Sequence, residues 1–284
     1  MQSNPVWITG AGGLIGNYLL QTAGQFAPDW QPRGLAHKEL DLLDSTAVRR
    51  AFNAERPSAI AHCAAMSKSP ECQAKPELAR KINVEATAVL AELAAEIPFV
   101  LYSSDLVFDG KKGNYLESDP VNPLSVYAET KVAAEQIVLA NPRHTVIRTS
   151  LNGGTSLAGD RGFNEQMRVA WQAGQTLKLF KDEFRCPIPA AVTARATWEL
   201  LSHGHSGLFH VAGSERLSRA RMGELIAARW PQLHPKFEVT SLKEYQGAPR
   251  SPDTSVNCDK VQKLLSFPLP GLTEWLNANP DVPF

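Results

Sequence analysis

The sequence predicts an α/β fold built on a doubly wound parallel sheet. Three observations carry that expectation. Short, nearly continuous apolar strands alternate with helical patterns through the first 150 residues. A glycine-rich loop, Gly10-Ala11-Gly12-Gly13-Leu14-Ile15-Gly16, joins the first strand to the first helix. The polar residues with chemical potential follow the ends of later strands. Repeated β-α-β units with apolar strands require a parallel sheet, covered on both faces and joined by right-handed crossovers.

Taken in order, residues 6–9 read as a strand and 14–26 as a helix, with a short second strand over 34–37. Asp44 caps a helix carrying Val48, Ala51 and Phe52, which Pro57 ends. Residues 59–63 form a compact apolar strand. An alanine-rich helix over 76–97 has Leu78, Ile82, Val89, Leu90 and Leu93 as its buried stripe, and Pro98 closes it. The next strand begins at 99–102, followed by a helix over 126–139 and a strand over 145–148. Beyond Ser150 the rhythm weakens. Residues 152–161 are a loop, 163–173 and 193–202 helices, and 177–180 and 208–211 strands. Ser218 caps a helix reaching 228, and a helix around 260–265 follows the proline-rich stretch 247–253. The expected division is a core in residues 1–150, with residues 151–284 a small C-terminal lobe interleaved with late core elements.

Composition narrows the classes. A chain of 284 residues, 43% hydrophobic and 20% charged, can bury one large core and a small annex. Lys plus Arg and Asp plus Glu are equal at 29 each, which gives no argument for nucleic acid or an anionic membrane. No apolar run approaches the roughly 18 residues of a membrane span, and no charged-then-apolar leader opens the chain. The expectation is a soluble, cytoplasmic protein. Cys63, Cys72, Cys186 and Cys258 form no C-x-x-C pair, and the seven histidines form no H-E-x-x-H. Reduced thiols and no protein-bound metal follow.

A strand, a glycine loop and a helix in that order suit a nucleotide diphosphate. Glycines allow the tight turn and the close backbone approach, and the helix offers free N–H groups and a positive dipole end. The spacing is G-x-x-G-x-x-G through Gly10, Gly13 and Gly16, with Gly12 an extra glycine; Leu14 and Ile15 complete the turn. Tyr127 and Lys131 lie four apart in a helix, so both project from one face. A phenol titrates near ~10, and a neighbouring ammonium would lower it enough for acid–base work. Ser104, at the end of the fourth strand, is placed to bond a carbonyl oxygen. Together these residues suit hydride transfer from a nicotinamide with protonation by Tyr127.

At this point the chain resembles the extended short-chain dehydrogenase/reductases, and among them the dTDP-4-dehydrorhamnose reductases. The resemblance runs from about residue 5 to about 265. It rests on Asp41-Leu42-Leu43-Asp44, Ala61-His62-Cys63-Ala64-Ala65, Ser103-Ser104-Asp105-Leu106-Val107-Phe108-Asp109-Gly110, Pro123-Leu124-Ser125-Val126-Tyr127-Ala128-Glu129-Thr130-Lys131 and Arg148-Thr149-Ser150. The resemblance implies a Rossmann-type fold with a C-terminal substrate-binding lobe and a Ser104/Tyr127/Lys131 triad. It places Asp41 and Leu42 beside the adenine, and Cys63, Ala64 and Ala65 along the cofactor. Asn83 falls where the family often has an Asn, although a helix-surface amide reads equally well.

His37 and Lys38, with Arg33 nearby, stand where a 2′-phosphate would lie, which favours NADP(H) over NAD(H). The chain departs from the family where Leu106 and Leu151 replace a Tyr and a Trp of the sugar-binding surface. Asp105, Leu106, Leu151, Arg185 and Arg250 are the expected substrate contacts, with Phe163 a further candidate and the two arginines suited to a diphosphate. The expected function is an NADP(H)-dependent reductase of a carbonyl on a polar, nucleotide-linked sugar. An epimerase or dehydratase using the same triad, and a cofactor-binding regulatory subunit, are the alternatives. The expected partners are the small-molecule substrate and, for assembly, a second copy as a homodimer.

Overall fold

The computed structural model describes residues 4–247, 249–282 and 284. Its central sheet has six parallel strands: β1 (Asn4–Thr9), β2 (Trp30–Leu35), β3 (Ala59–His62), β4 (Phe99–Ser104), β5 (Thr145–Thr149) and β6 (Gly207–Val211). Their order is β6-β5-β4-β3-β1-β2. The chain goes from β1 outward to β2, then crosses back over β1 to start β3. The crossovers on the two sides of β1 diverge there, and a crevice opens at the carboxyl ends of β1 and β3.

Burial explains the apolar strands. Every residue of β3, β4 and β5 is buried. Alternation sends Val6 and Ile8 of β1 to one face, where they meet Leu19 of α1 (Leu14–Phe26) and Trp198 of the helix Ala190–Ser202. Trp7 goes to the other face, with Ile60, Leu101, Val146 and Val48 of α2 (Ser45–Glu55). Both indoles keep their N–H bonded: Trp198 donates to the Leu19 carbonyl at 3.2 Å and Trp7 to Glu55 at 2.8 Å. Asp44 caps α2 as expected, accepting from the Ala47 N–H at 2.9 Å.

Several elements depart from the sequence pattern. The second strand runs from Trp30 to Leu35 rather than over 34–37. Pro32 disguises it, but β2 is the sheet edge, where a missing donor costs no ladder bond. The helix expected over 76–97 is broken. Pro76–Arg80 leads into a π turn, Lys81–Glu85, then Ala86–Leu93, and a separate short helix, Ser69–Ala74, precedes it. A π turn adds a residue to the repeat, so a single 3.6-residue stripe cannot stay on one face. Of the expected stripe only Leu90 is fully buried; Leu78 is exposed, Ile82, Val89 and Leu93 are half-buried, and Ala79, Asn83, Val84 and Thr87 join Leu90 on the buried face.

Residues beyond 150 add β6 to the main sheet and build a second, smaller core. Phe163, Met167 and Trp171 of the helix Phe163–Gln172 pack there with Met222 and Ile226 of the helix Arg219–Ala227, and with Leu272. Ser218 caps the latter helix as expected, accepting from the Arg221 N–H. Besides two-residue pairings such as Phe184–Arg185 with Leu217–Ser218, two longer elements escape the sequence reading. The strand Lys236–Thr240, mostly exposed and polar, pairs in parallel with Thr176–Phe180, and the helix Leu272–Ala278 closes the small core. The helix expected around 260–265 is a single turn, Asp259–Gln262.

Candidate active site

A cleft of about 2010 Å³ opens where the crevice meets the small lobe. Its floor is the glycine loop. Gly10 has φ +67, and a Cβ there would lie 2.6 Å from the Ala64 nitrogen. A Cβ on Gly16 would lie 2.5 Å from the Gly10 carbonyl oxygen. Both glycines are therefore required by backbone contact. Gly13 caps α1 through its backbone and donates to the Gly10 carbonyl at 2.8 Å, whereas a Cβ on Gly12 would meet nothing within 4 Å. The first turn of α1 has no side-chain cap and no acidic residue, so the positive end of its dipole is unopposed. That combination fits a diphosphate.

The walls bring together most of the expected cofactor residues. Gly10, Gly13, Leu14, Ile15 and Gly16 line the cleft. His37, Asp41, Leu42, Cys63, Ala64 and Ala65 line it as well. His37 is exposed, with its Nδ1 3.6 Å from Asp41. Lys38, expected beside the same phosphate, is exposed and is not among the residues that line the cleft. Arg33 is occupied by Glu55 at 3.5 Å.

Ser104, Tyr127 and Lys131 converge on the same cleft. Ser104 ends β4, where its hydroxyl accepts from the Leu106 N–H at 3.1 Å and donates to Asp105 at 3.2 Å. Tyr127 and Lys131 come from the helix Val126–Leu139, which Ser125 caps by accepting from the Ala128 N–H. Burial pushes the Tyr127 phenol up, with the Ser104 hydroxyl pulling it down and Asp105 pushing it further up. The expected lowering by Lys131 is not among the influences on the phenol; burial of the ring is the largest of them. Lys131 is itself pushed down to about 8, by burial first, with Glu135 opposing.

A hydrogen-bonded layer beneath the cleft escapes sequence reading. The His62 ring lies between the Thr9 hydroxyl (2.7 Å) and the Thr87 hydroxyl (3.1 Å), and burial pushes its pKa down to about 3. Thr87 donates to the Asn83 carbonyl at 2.8 Å. Asn83 is buried rather than on the helix surface. Its amide donates to the Met66 carbonyl (3.0 Å) and the Thr130 hydroxyl (2.9 Å), and accepts from the Met66 N–H (2.8 Å). Thr130 in turn donates to the Tyr127 carbonyl at 2.7 Å. The loop after β3 and the helix carrying Tyr127 are thus clamped together. The one usable signal was an amide between the apolar residues Ile82 and Val84.

The far end of the cleft is charged and partly apolar. Asp105 is buried, accepts from Ser150 (2.7 Å) and Thr254 (3.1 Å), and lies 3.9 Å from Arg185. Its carboxyl is pushed up by burial, with Arg185 pulling it down. Arg185 and Arg250 reach the wall, but Glu183 holds both: Arg185 at 3.2 Å, and Arg250 through two bonds of 2.6 and 2.9 Å. Arg219, missed in the sequence, lines the same wall; its backbone N–H donates to the Glu183 carbonyl at 2.9 Å, while its guanidinium makes no hydrogen bond or ion pair within 4 Å among the described residues. Leu106, Leu151 and Phe163 supply the apolar part of the lining.

A probable low-salt glycan biosynthesis reductase of Haloferax volcanii is 31% identical over 236 residues, covering 78% of each chain. A dTDP-4-dehydrorhamnose reductase of Sinorhizobium fredii is 29% identical, covering 94% of this chain and 93% of its own. The structure of dTDP-4-dehydrorhamnose reductase from Bacillus anthracis, solved in complex with NADP, superposes with a TM-score of 0.86 over 98% of both chains, at 23% identity. The family described as the RmlD substrate binding domain matches residues 4–280, and the chain belongs to that family.

Proposed function

We propose that the protein is an NADP(H)-dependent reductase of a carbonyl borne by a polar, nucleotide-linked sugar. The observation that supports this most strongly is the meeting, in one cleft, of the glycine cradle with Ser104, Tyr127 and Lys131. The reductase relatives and the NADP complex of the B. anthracis enzyme agree with it. When bound, NADPH supplies the hydride for the carbonyl carbon. The loop through Gly10, Gly13 and Gly16, with the first turn of α1, would hold the diphosphate. Asp41 and Leu42 would border the adenosine, and His37 would bind its 2′-phosphate. Lys131 would hold the nicotinamide ribose and supply positive charge near the phenol. Ser104 orients the carbonyl oxygen, and Tyr127 gives that oxygen its proton from Oη.

Leu106 and Leu151 shape the substrate preference. A sugar ring stacks its C–H face on a flat aromatic, and neither leucine offers one. The chain therefore turns over dTDP-4-dehydrorhamnose poorly and prefers a differently shaped keto-sugar nucleotide. Consumption of NADPH across a panel of keto-sugar nucleotides and simple carbonyls tests both statements. No consumption with any keto-sugar nucleotide would overturn the reductase reading. Exclusive use of dTDP-4-dehydrorhamnose at a kcat/KM of about 10⁴ M⁻¹s⁻¹ or more would overturn the preference.

A further inference from the structure

Glu135 takes no part in the scheme above, yet it is buried at the centre of the elements that compose the site. Tyr127, Lys131 and Glu135 follow one another at four-residue intervals along one face of the helix Val126–Leu139. The Glu135 carboxylate is fully engaged. Arg148 of β5 donates to it twice, at 2.9 and 2.7 Å, and the Ser103 hydroxyl of β4 donates at 2.5 Å. Ser103 precedes Ser104, and Arg148 lies two residues before Ser150, which bonds Asp105. One side chain therefore joins the strand that carries Ser104, the strand beside it and the helix that carries Tyr127.

The same carboxylate lies one helical turn from Lys131, on the same face, and raises its proton affinity. The other titratable groups around that ammonium are the thiols of Cys63, after β3, and Cys72, of the helix Ser69–Ala74, with the His62 ring of β3. Burial pushes both thiols up and the imidazole down, so all three are neutral at physiological pH. Glu135 is the anion that remains.

We propose that Glu135 is a positioning residue, whose carboxylate, fixed by Arg148 and Ser103, keeps the Lys131 ammonium charged at the spacing the site requires. This rests on the reading of Lys131 as the ammonium that serves the cofactor and Tyr127. The experiment reads the proton on Lys131 directly, without substrate or cofactor. If the reductase reading failed through loss of turnover, that titration would still decide the role of Glu135.

Protein labelled with ¹³C at the lysine ε-carbons is titrated by NMR, with Lys131→Arg assigning the signal. In the parent, Lys131 should titrate at about 8. Glu135→Gln alone strands a buried arginine, so the informative variant is Glu135→Gln with Arg148→Met, which removes the buried pair together and preserves folding better. There the midpoint falls by about one pH unit or more, a tenfold loss in proton affinity. Glu135→Asp, which keeps the charge, falls by less than half as much. An unchanged midpoint in the folded double variant would reduce Glu135 to a structural tie. A parent midpoint below about 7, with the carboxylate in place, would overturn the proposal without any variant at position 135.

Discussion

Tyr127 carries the largest chemical demand on a single side chain. Its ring is held in the cleft, where burial favours the protonated phenol, and the Ser104 hydroxyl is the group that favours ionisation. Such a phenol is suited to giving a proton to a developing alkoxide. Tyr127→Phe keeps the ring and removes the proton, so NADPH affinity should hold within a few-fold while turnover falls by about 10² or more. Stopped-flow turnover beside a fluorescence titration of NADPH checks it, and near-parental turnover would remove Tyr127 from the acid role. Two adjacent side chains give a second contrast. His37 lines the cleft and Lys38 does not. His37→Ala should weaken NADPH by about 1–3 kcal/mol, the range of a charge-assisted contact, and leave NADH unaffected. Lys38→Ala should alter neither. Equal losses for both nucleotides on His37→Ala would place the 2′-phosphate elsewhere.

Elements set where those side chains stand. The loop between β1 and α1 passes so close to the loop after β3 that Gly10 has no space for a Cβ. Gly10→Ala carries a backbone cost of about 1–3 kcal/mol before the clash with Ala64 is added. It should lower the urea midpoint clearly and abolish NADPH binding. Gly12→Ala is the control, with an open position and a stability expected within about 0.5 kcal/mol of the parent. The π turn is the other decisive element. It turns Asn83 inward to hold both the Met66 backbone and Thr130. Asn83→Ala leaves buried polar groups unpaired at about 1–3 kcal/mol. It should also weaken NADPH binding by loosening the loop from Cys63 to Met66. Unchanged stability in a denaturant titration would show that those groups find other partners.

Across the whole molecule, buried neutral histidines couple the fold to pH. Burial pushes His62 down to about 3 and His210 down to about 4, against 6.5 for an exposed imidazole. Between each folded value and 6.5 the unfolded chain binds more protons than the folded one. Stability therefore rises with pH across that window and is lost as pH falls through it. Each group contributes up to about 1.4 kcal/mol per pH unit. The urea midpoint should fall steadily from about pH 6.5 to about pH 4.5, and His62→Gln should flatten that slope. A midpoint independent of pH over this interval would mean that neither ring is held neutral. Lys131, held at about 8 against 10.5, has the same sign in the alkaline range: stability rises between those values as the unfolded lysine retains its proton.

Local pattern was enough for most strands and helices of the first half of the chain. Apolar strands such as residues 99–104, the cap at Asp44 and the glycine spacing each report on neighbours a few residues away, and the helices Leu14–Phe26 and Val126–Leu139 lie where that spacing puts them. The Ser104, Tyr127 and Lys131 positions were legible for the same reason, since a strand end and a four-residue helical interval are local facts. Local pattern fails where the deciding partner is distant in the chain. Pro32 lies in a strand because β2 is an edge, which depends on the order of all six strands. The stripe through Leu78 fails because a π turn, held by bonds from Asn83 to Met66 and Thr130, resets the helical face. Arg185 and Arg250 look like free phosphate grips until folding brings Glu183 between them. The charge beside Lys131 likewise depends on Ser103 and Arg148, 32 and 13 residues from Glu135, meeting at one carboxylate. Hydrophobic periodicity encodes which face is buried. Only the assembled fold decides which polar groups are paired there, because that pairing is settled by distance in space and burial.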